Sequence, residues 1–423
     1  MADRKLIDEC VHCGFCLPAC PTYQSSGREV ESPRGRIYTM KALSDGRAQV
    51  SPAVLGQFDS CLGCMGCVTA CPSGVHYDAL IEQTRAELER AHPRTAADRA
   101  FRGFLFSFFP YPRRLRLVAL FQWLYVRAGA RWLAHRLGLL RLLPARLRQV
   151  EALMPEVGLN QVSSRLPLLT PAQGPRRARV ALLPGCVQGV YFPNVNEATL
   201  RVLSAEGCEV LVPRGLGCCG ALSVHAGREE EAKAFARAAI VTLERAQVDF
   251  VIVNAAGCGS SMKEWGRLFV GEPAFAARAQ ALAARVRDPS ELLAALGPVA
   301  PRHPIPLTAA YHDACHLAHA QRVRAHPRAL LRGIPGLELV EIPEGDQCCG
   351  SAGIYNLVEP ERSRLIGTRK VDNLLSVAPQ ALVSANPGCT LQLQMLLRER
   401  GLSLRAAHPM ELLDLSLRGL PFR

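Results

Sequence analysis

Eight of the chain's 17 cysteines fall in two runs whose spacing suits metal. Cys10, Cys13, Cys16 and Cys20 precede Pro21 in CVHCGFCLPACP, and Cys61, Cys64, Cys67 and Cys71 precede Pro72 in CLGCMGCVTACP. Each run reads C-x2-C-x2-C-x3-C-P, the spacing of [4Fe–4S] ligands in two-cluster ferredoxins. Three thiolates two residues apart converge on one cubane, while the fourth, steered off by the proline, reaches the other. The spacing therefore predicts Cys10, Cys13, Cys16 and Cys71 around one cluster and Cys61, Cys64, Cys67 and Cys20 around the second. Zinc needs four ligands per site and has no use for this repeated spacing.

Eight more cysteines form an internal repeat. Cys186, the pair Cys218-Cys219 before Gly220, and Cys258 are matched by Cys315, the pair Cys348-Cys349 before Gly350, and Cys389, at offsets of 129, 130 and 131 residues. They are candidate cofactor-binding residues, for a further cluster, for zinc, or as structural thiols. His312, His316 and His319 flank Cys315 and add a possible zinc site. Cys208 has no counterpart and is expected in a core.

The elements that must position these thiols follow from the apolar pattern. Helical segments are expected at 34–43, between the two cysteine runs, and at Asp78–Arg90, where Leu80, Ile81, Thr84 and Leu88 share a side. In the repeat, short apolar strands at 178–185, 208–215 and 249–257, and again at 308–315, 338–345 and 381–389, each run into a cysteine, with helices at Asn194–Glu206 and Glu229–Ala246. Strand–helix alternation implies parallel sheets with right-handed crossovers. The thiols then sit past strand C-termini, the edge where open α/β sheets bind ligands. The predicted fold is α+β and multidomain: a mainly helical two-cluster ferredoxin module (1–93), a basic, aromatic-rich helical bridge and linker (94–175), and two repeated α/β units with parallel sheets (176–300 and 301–423).

Composition agrees with a globular chain: 423 residues, 49% hydrophobic, 21% charged, net charge +13. The charged N-terminal stretch shows no secretory signal, and no apolar run reaches the ~18 residues of a spanning helix, so a reducing, cytoplasmic setting is expected. The bridge concentrates the charge, with twelve arginines against the single acid Asp98 in 94–150, and ten of the 25 aromatics between Phe101 and Trp132. Arg127, Arg131 and Arg141 could share a polar face. An interfacial membrane helix, a docking surface for a partner subunit and a plain packed linker all fit this composition. No nucleic-acid module surrounds it. No GxGxxG, Walker loop or nucleophile elbow is present, so the chain is expected to have no organic cofactor site of its own and to relay electrons rather than oxidise substrate alone.

Two ferredoxin-type motifs ahead of two Cys-Cys-Gly units, together with SPRGRIY (32–38), CPSGVHY (71–77), AAGCG (255–259) and QCCGSAGIYNL (347–357), resemble the iron–sulfur subunits of bacterial glycolate oxidase. The resemblance implies an electron-transfer subunit of a flavin-dependent 2-hydroxyacid dehydrogenase. FAD would sit on partner subunits and electrons would pass to a quinone or other membrane acceptor, with the protein peripheral on the inner face of the cell membrane. Related layouts occur in anaerobic glycerol-3-phosphate dehydrogenase, lactate-utilisation proteins and heterodisulfide reductase. The last ends its units in C-x-x-C; here Gly259-Ser260-Ser261 follows Cys258 and Thr390-Leu391-Gln392 follows Cys389, so one thiol per unit is absent.

Overall fold

Between the two cysteine loops the chain turns sharply into a helix, Pro33–Ser44, for local reasons. Ser32 caps it, its hydroxyl accepting from the Gly35 amide at 3.0 Å, and Pro33 opens its first turn. Gly35 has no room for a side chain, since a Cβ would fall on the Glu29 carbonyl oxygen. The computed structural model describes residues 3–92 and 94–422. Its N-terminal part is helical throughout. Pro33–Ser44, Pro52–Asp59 and Tyr77–Ala91 pack around Ile37, Met40, Phe58, Leu80 and Ile81, and the cysteine loops lie against the same core. The side of Tyr77–Ala91 expected to be apolar is buried at Leu80, Ile81, Thr84 and Leu88.

The bridge is a chain of helices, chiefly Ala96–Phe108, Pro112–Arg127, Ala130–Arg136 and Ala145–Leu153. Several of its arginines are internal struts. Asp98 accepts from Arg94 (3.4 Å), Arg102 (2.9 Å) and Arg146 (2.8 Å), and Arg131 pairs with Glu151 at 2.9 Å. The polar face drawn through Arg127, Arg131 and Arg141 is therefore partly spent within the fold. No described helix is long and apolar enough to cross a membrane.

Each cysteine-rich unit is built on an open sheet. The first runs Leu169–Thr170, Cys208–Leu211, Ala178–Leu182, Phe250–Ile252, Val286–Arg287; the second runs Leu337–Glu341, Leu307–His312, Ala381–Ser384, Arg405–Ala407. All neighbouring strands are parallel except Leu169–Thr170, which pairs antiparallel with Cys208–Leu211. That edge strand is reached directly from the bridge without a crossover, and Pro171 ends it by lacking a donor. The edge strands Val286–Arg287 and Arg405–Ala407 escape a pattern reading because they are only two and three residues long. Each leads into a matched capping box, Asp288-Pro289 with Glu291 and His408-Pro409 with Glu411, so the repeat continues beyond its cysteines. Cys208 is fully buried in the core, as expected.

The two units clasp each other reciprocally. Helix Pro193–Ala205 of the first packs on Pro409–Leu417 of the second, and Ala325–Arg332 of the second packs on Pro289–Leu296 of the first. A two-pronged Arg201–Asp414 pair (2.7 and 2.8 Å) fastens one of these contacts. Apolar residues from both sheets, including Val180, Ile252, Tyr311 and Val383, share one core. This near-twofold arrangement turns the cysteine-bearing edges of the two sheets toward one another.

Candidate metal centres

In the N-terminal domain the thiols fall into two neighbouring sets. Cys10, Cys13, Cys16 and Cys71 line a cavity of about 30 Å³, with Cys67 in its wall toward the second set. Cys64 and Cys67 each lie close enough to Cys20 and Cys61 for those charges to be felt. The loops share a backbone path. His12 (φ 55°) and Gly63 (62°) hold one left-handed position, Gly14 (89°) and Met65 (62°) the next. Two non-glycine residues in that region are costly locally and persist where the surroundings enforce the loop.

Charge around Cys61, in the second set, is arranged for a thiolate. Arg36 is fully buried, and its guanidinium donates to Gln57 O and Ser60 Oγ (both 2.9 Å). Burial works against its charge, but Cys61, Tyr77 and Cys20 facing it hold its pKa above the usual arginine value. Burial likewise opposes ionisation of Cys61, yet Arg36 and Arg85 outweigh it and bring the thiol below its ordinary value. The Gly63 amide (3.4 Å) and the Tyr77 hydroxyl (3.6 Å) donate to the Cys61 sulfur. Burial, then neighbouring thiols, push Cys64 and Cys67 well upward. Loading metal on such a set releases protons. The donor chemistry of both sets, thiols converging beside buried cation and amide donors, fits iron–sulfur clusters.

The repeat cysteines come together as two strings of sulfur. In the first unit Cys186 lies 3.8 Å from Cys218, and Cys219 is hydrogen-bonded by Cys218 and Cys258, which holds its thiol well below the ordinary value. In the second, Cys315 is hydrogen-bonded to Cys348, and Cys349 to Cys348 and Cys389. The glycine after each pair is obligatory. Gly220 and Gly350 both have φ 86°, and a Cβ would come within 2.9 Å of the Ala232 oxygen and 2.5 Å of the Ser363 oxygen. Cys186 and Cys315 stand at the N-termini of short helical turns, and Cys258 and Cys389 in the first turns of helices, positions that favour anionic sulfur.

All eight of these thiols line one cavity of about 330 Å³ between the units. The bridge closes part of its wall, through Phe104, Phe108, Phe109, Leu115, Val118 and Leu153. His225 and His316 also line it, their rings 4.8 Å apart. Burial, then His316 and Arg85, keep His225 well below the ordinary histidine value, and thus neutral. Residue types alone do not single out this role for the bridge aromatics, and nothing in local spacing could, because the wall forms only when the units face each other. Arg36 lies inside SPRGRIY, where residue type suggests no role, and its burial supplies one.

The three histidines near Cys315 separate in the structure. His316 Nε2 meets the Gly63 carbonyl at 3.0 Å; His319 Nδ1 lies 2.5 Å from Thr69 Oγ1 and its Nε2 lies 2.9 Å from the Asp346 carbonyl. Both bind the second unit to the loop of the second ferredoxin motif. A shared zinc site for all three is not formed, because His316 is engaged by Gly63 and His319 by Thr69 and Asp346. His312 alone joins Cys349 and Cys389. The string of the second unit also abuts the N-terminal domain, where Leu62 and Cys64 pack with Cys315, Cys348 and Tyr355.

Sulfur sets of this kind on a helical module and on duplicated α/β units define an iron–sulfur electron-transfer protein. A 4Fe-4S dicluster domain family matches residues 6–75, a cysteine-rich domain family matches 180–263 and 309–394, and the linker region of glycolate oxidase iron–sulfur subunits matches 97–154. The chain is 38% identical over 421 residues (98% of this chain, 94% of the relative) to the probable glycolate oxidase iron–sulfur subunit of Bacillus subtilis. It is 33% identical to the glycolate oxidase iron–sulfur subunit of Escherichia coli, covering 92% of this chain and 90% of that one. It is also 28% identical, over 98% of its length and 73% of the relative, to a fumarate reductase (CoM/CoB) subunit of Methanothermobacter marburgensis. The chain belongs to the family of glycolate oxidase iron–sulfur subunits.

Proposed function

We propose that this chain relays electrons from flavin-bearing partner subunits, which oxidise glycolate or a similar 2-hydroxy acid, to a quinone or other membrane acceptor. Oxidation to the 2-oxo acid releases two electrons and two protons, and iron–sulfur clusters, once bound, carry the electrons singly. Cys10, Cys13, Cys16 and Cys71 hold the cluster at the outer end, where Cys13 is exposed, and Cys20, Cys61, Cys64 and Cys67 hold the inner one. The observation that carries the reading is the sulfur continuity inward, with Cys64 packed against Cys315 and Cys348, whose string opens on the shared cavity. The chain's own residues hold the inner end in place. Arg36 and Arg85 balance thiolate charge, and His316 and His319 fix the second unit to the loop. The protein acts as a subunit and does not oxidise the acid alone.

The exposed apolar side chains of the bridge, Phe121 and Trp132 (both 62% exposed) and Leu142 (82%) among them, form the contact to those partners or to the inner face of the membrane. Anaerobic purification of the chain with and without its flavoprotein partners tests the reading. The complex reduces a quinone analogue with glycolate, the chain alone does not, and a colourless, iron-free chain overturns it. The eight-thiol cavity also favours a second reading, a reductase acting at the cysteine-rich rims. Turnover of a disulfide by the isolated chain, lost in Cys218→Ser or Cys348→Ser, would establish that instead.

A further inference from the structure

One buried group in the second unit has no partner at all in the protein. His312, the last residue of the strand Leu307–His312, is completely buried, and neither ring nitrogen makes a hydrogen bond. Leaving a buried polar group unpaired costs about 1–3 kcal/mol. One of its ring nitrogens and the sulfurs of Cys349 and Cys389 all lie within 4.8 Å of one another. The other two nearby histidines are engaged elsewhere, His316 with Gly63 and His319 with Thr69 and Asp346. Lys370, also buried, lies close enough for its charge to act on His312, and donates to the Glu344 (3.0 Å) and Gly345 (2.6 Å) carbonyls. At the matching place in the first unit, 129 residues earlier, stands Leu183, packed in an apolar core.

The two rims therefore differ in kind, four sulfurs in one and four sulfurs with an imidazole in the other. We propose that the second cysteine-rich unit holds a transition-metal centre of mixed sulfur–nitrogen ligation, with His312 as a ligand beside Cys349 and Cys389, and Cys315 and Cys348 completing the set. Thiolate with imidazole suits iron, as a cluster, or zinc. This rests on reading the rim thiols as metal ligands, and its readout is separate from the signal of the N-terminal clusters that tests the relay.

The test uses the full-length chain, purified anaerobically after growth with 15N-histidine or natural histidine. The wild type carries metal beyond the about eight irons of two cubanes. A nitrogen ligand is seen as a 15N-sensitive coupling in pulsed EPR where that metal is iron, or as a nitrogen shell at the zinc edge where it is zinc. His312→Leu, which copies the first unit, weakens retention of that extra metal by at least about tenfold in a chelator titration, removes the nitrogen signature and leaves the N-terminal cluster signal intact. His312→Cys restores the metal without the nitrogen. Unchanged metal content and spectrum in His312→Leu overturns the proposal, as does a wild-type chain with no nitrogen ligand, a readout that needs no variant to fold. A chain lacking iron altogether would instead overturn the relay reading.

Discussion

The two cysteine-rich units share strand order, sulfur spacing and capping boxes, yet they meet the N-terminal domain differently. The first grips its outer helix, where Arg267 pairs with Asp78 and with Glu82 (3.0 Å) and Arg85 donates to the His225 carbonyl. The second lies on the cysteine loop itself, through Cys64, Gly63 and Thr69. Their sulfurs differ as well. Cys219 of the first is held below its ordinary value by hydrogen bonds from Cys218 and Cys258, whereas Cys349 of the second stays well above it among Cys348 and Cys389. The scaffold occurs twice, and docking sets the sulfurs of one copy against Cys64.

The comparison breaks most sharply by removing one sulfur at the contact with the second unit and one from the first unit, which lies outside it. Cys64→Ser should lose the inner cluster, about four of about eight N-terminal irons, whereas Cys218→Ser should leave both N-terminal clusters in place; iron analysis and low-temperature EPR decide. Next in size is the seam between the units. His408 is buried, its Nε2 lies 2.9 Å from the Asn254 carbonyl of the first unit, and burial lowers its pKa from 6.5 to about 4. Protons then bind the unfolded chain more tightly, so stability is full above about pH 6.5 and falls as pH drops toward 4. The loss is about 3 kcal/mol for this group, and denaturant titrations across that range should show a shallower slope in His408→Gln, where the other buried histidines still contribute, than in wild type.

Smaller effects probe the glycines. Gly350→Ala and Gly220→Ala should each destabilise by about 1–3 kcal/mol through strain at positive φ. The second unit should suffer more, because its Cβ would lie 2.5 Å rather than 2.9 Å from a backbone oxygen; thermal melts rank them. The smallest is Thr69→Val, which removes the hydroxyl facing His319. It should cost about 1 kcal/mol and loosen the loop only where the second unit rests, seen as faster amide exchange around 63–69.

What sequence could convey follows a physical divide. Ligand spacing is local, so the N-terminal motifs and the paired Cys-Cys-Gly units stand out by number, and the helix at 77–91 declares its buried side through Leu80, Ile81, Thr84 and Leu88. Strands as short as Val286–Arg287 leave no period to read, and the antiparallel Leu169–Thr170 lies in what reads as linker. The shared cavity, its aromatic wall and the isolation of His312 are tertiary facts. Three histidines beside Cys315 look equivalent along the chain, and only their partners in the fold show that two face the neighbouring domain and one faces sulfur.

The reciprocal clasp also sets an order of events during synthesis. Asn194 finds its partner Glu411 only 217 residues later, so the first sheet emerges from the ribosome with the helix that Pro409–Leu417 will cover still bare. That surface is open to misassociation throughout translation of the second unit. The chamber between the repeats cannot close before the second unit is made, which places any filling of it after, and not during, elongation of the chain.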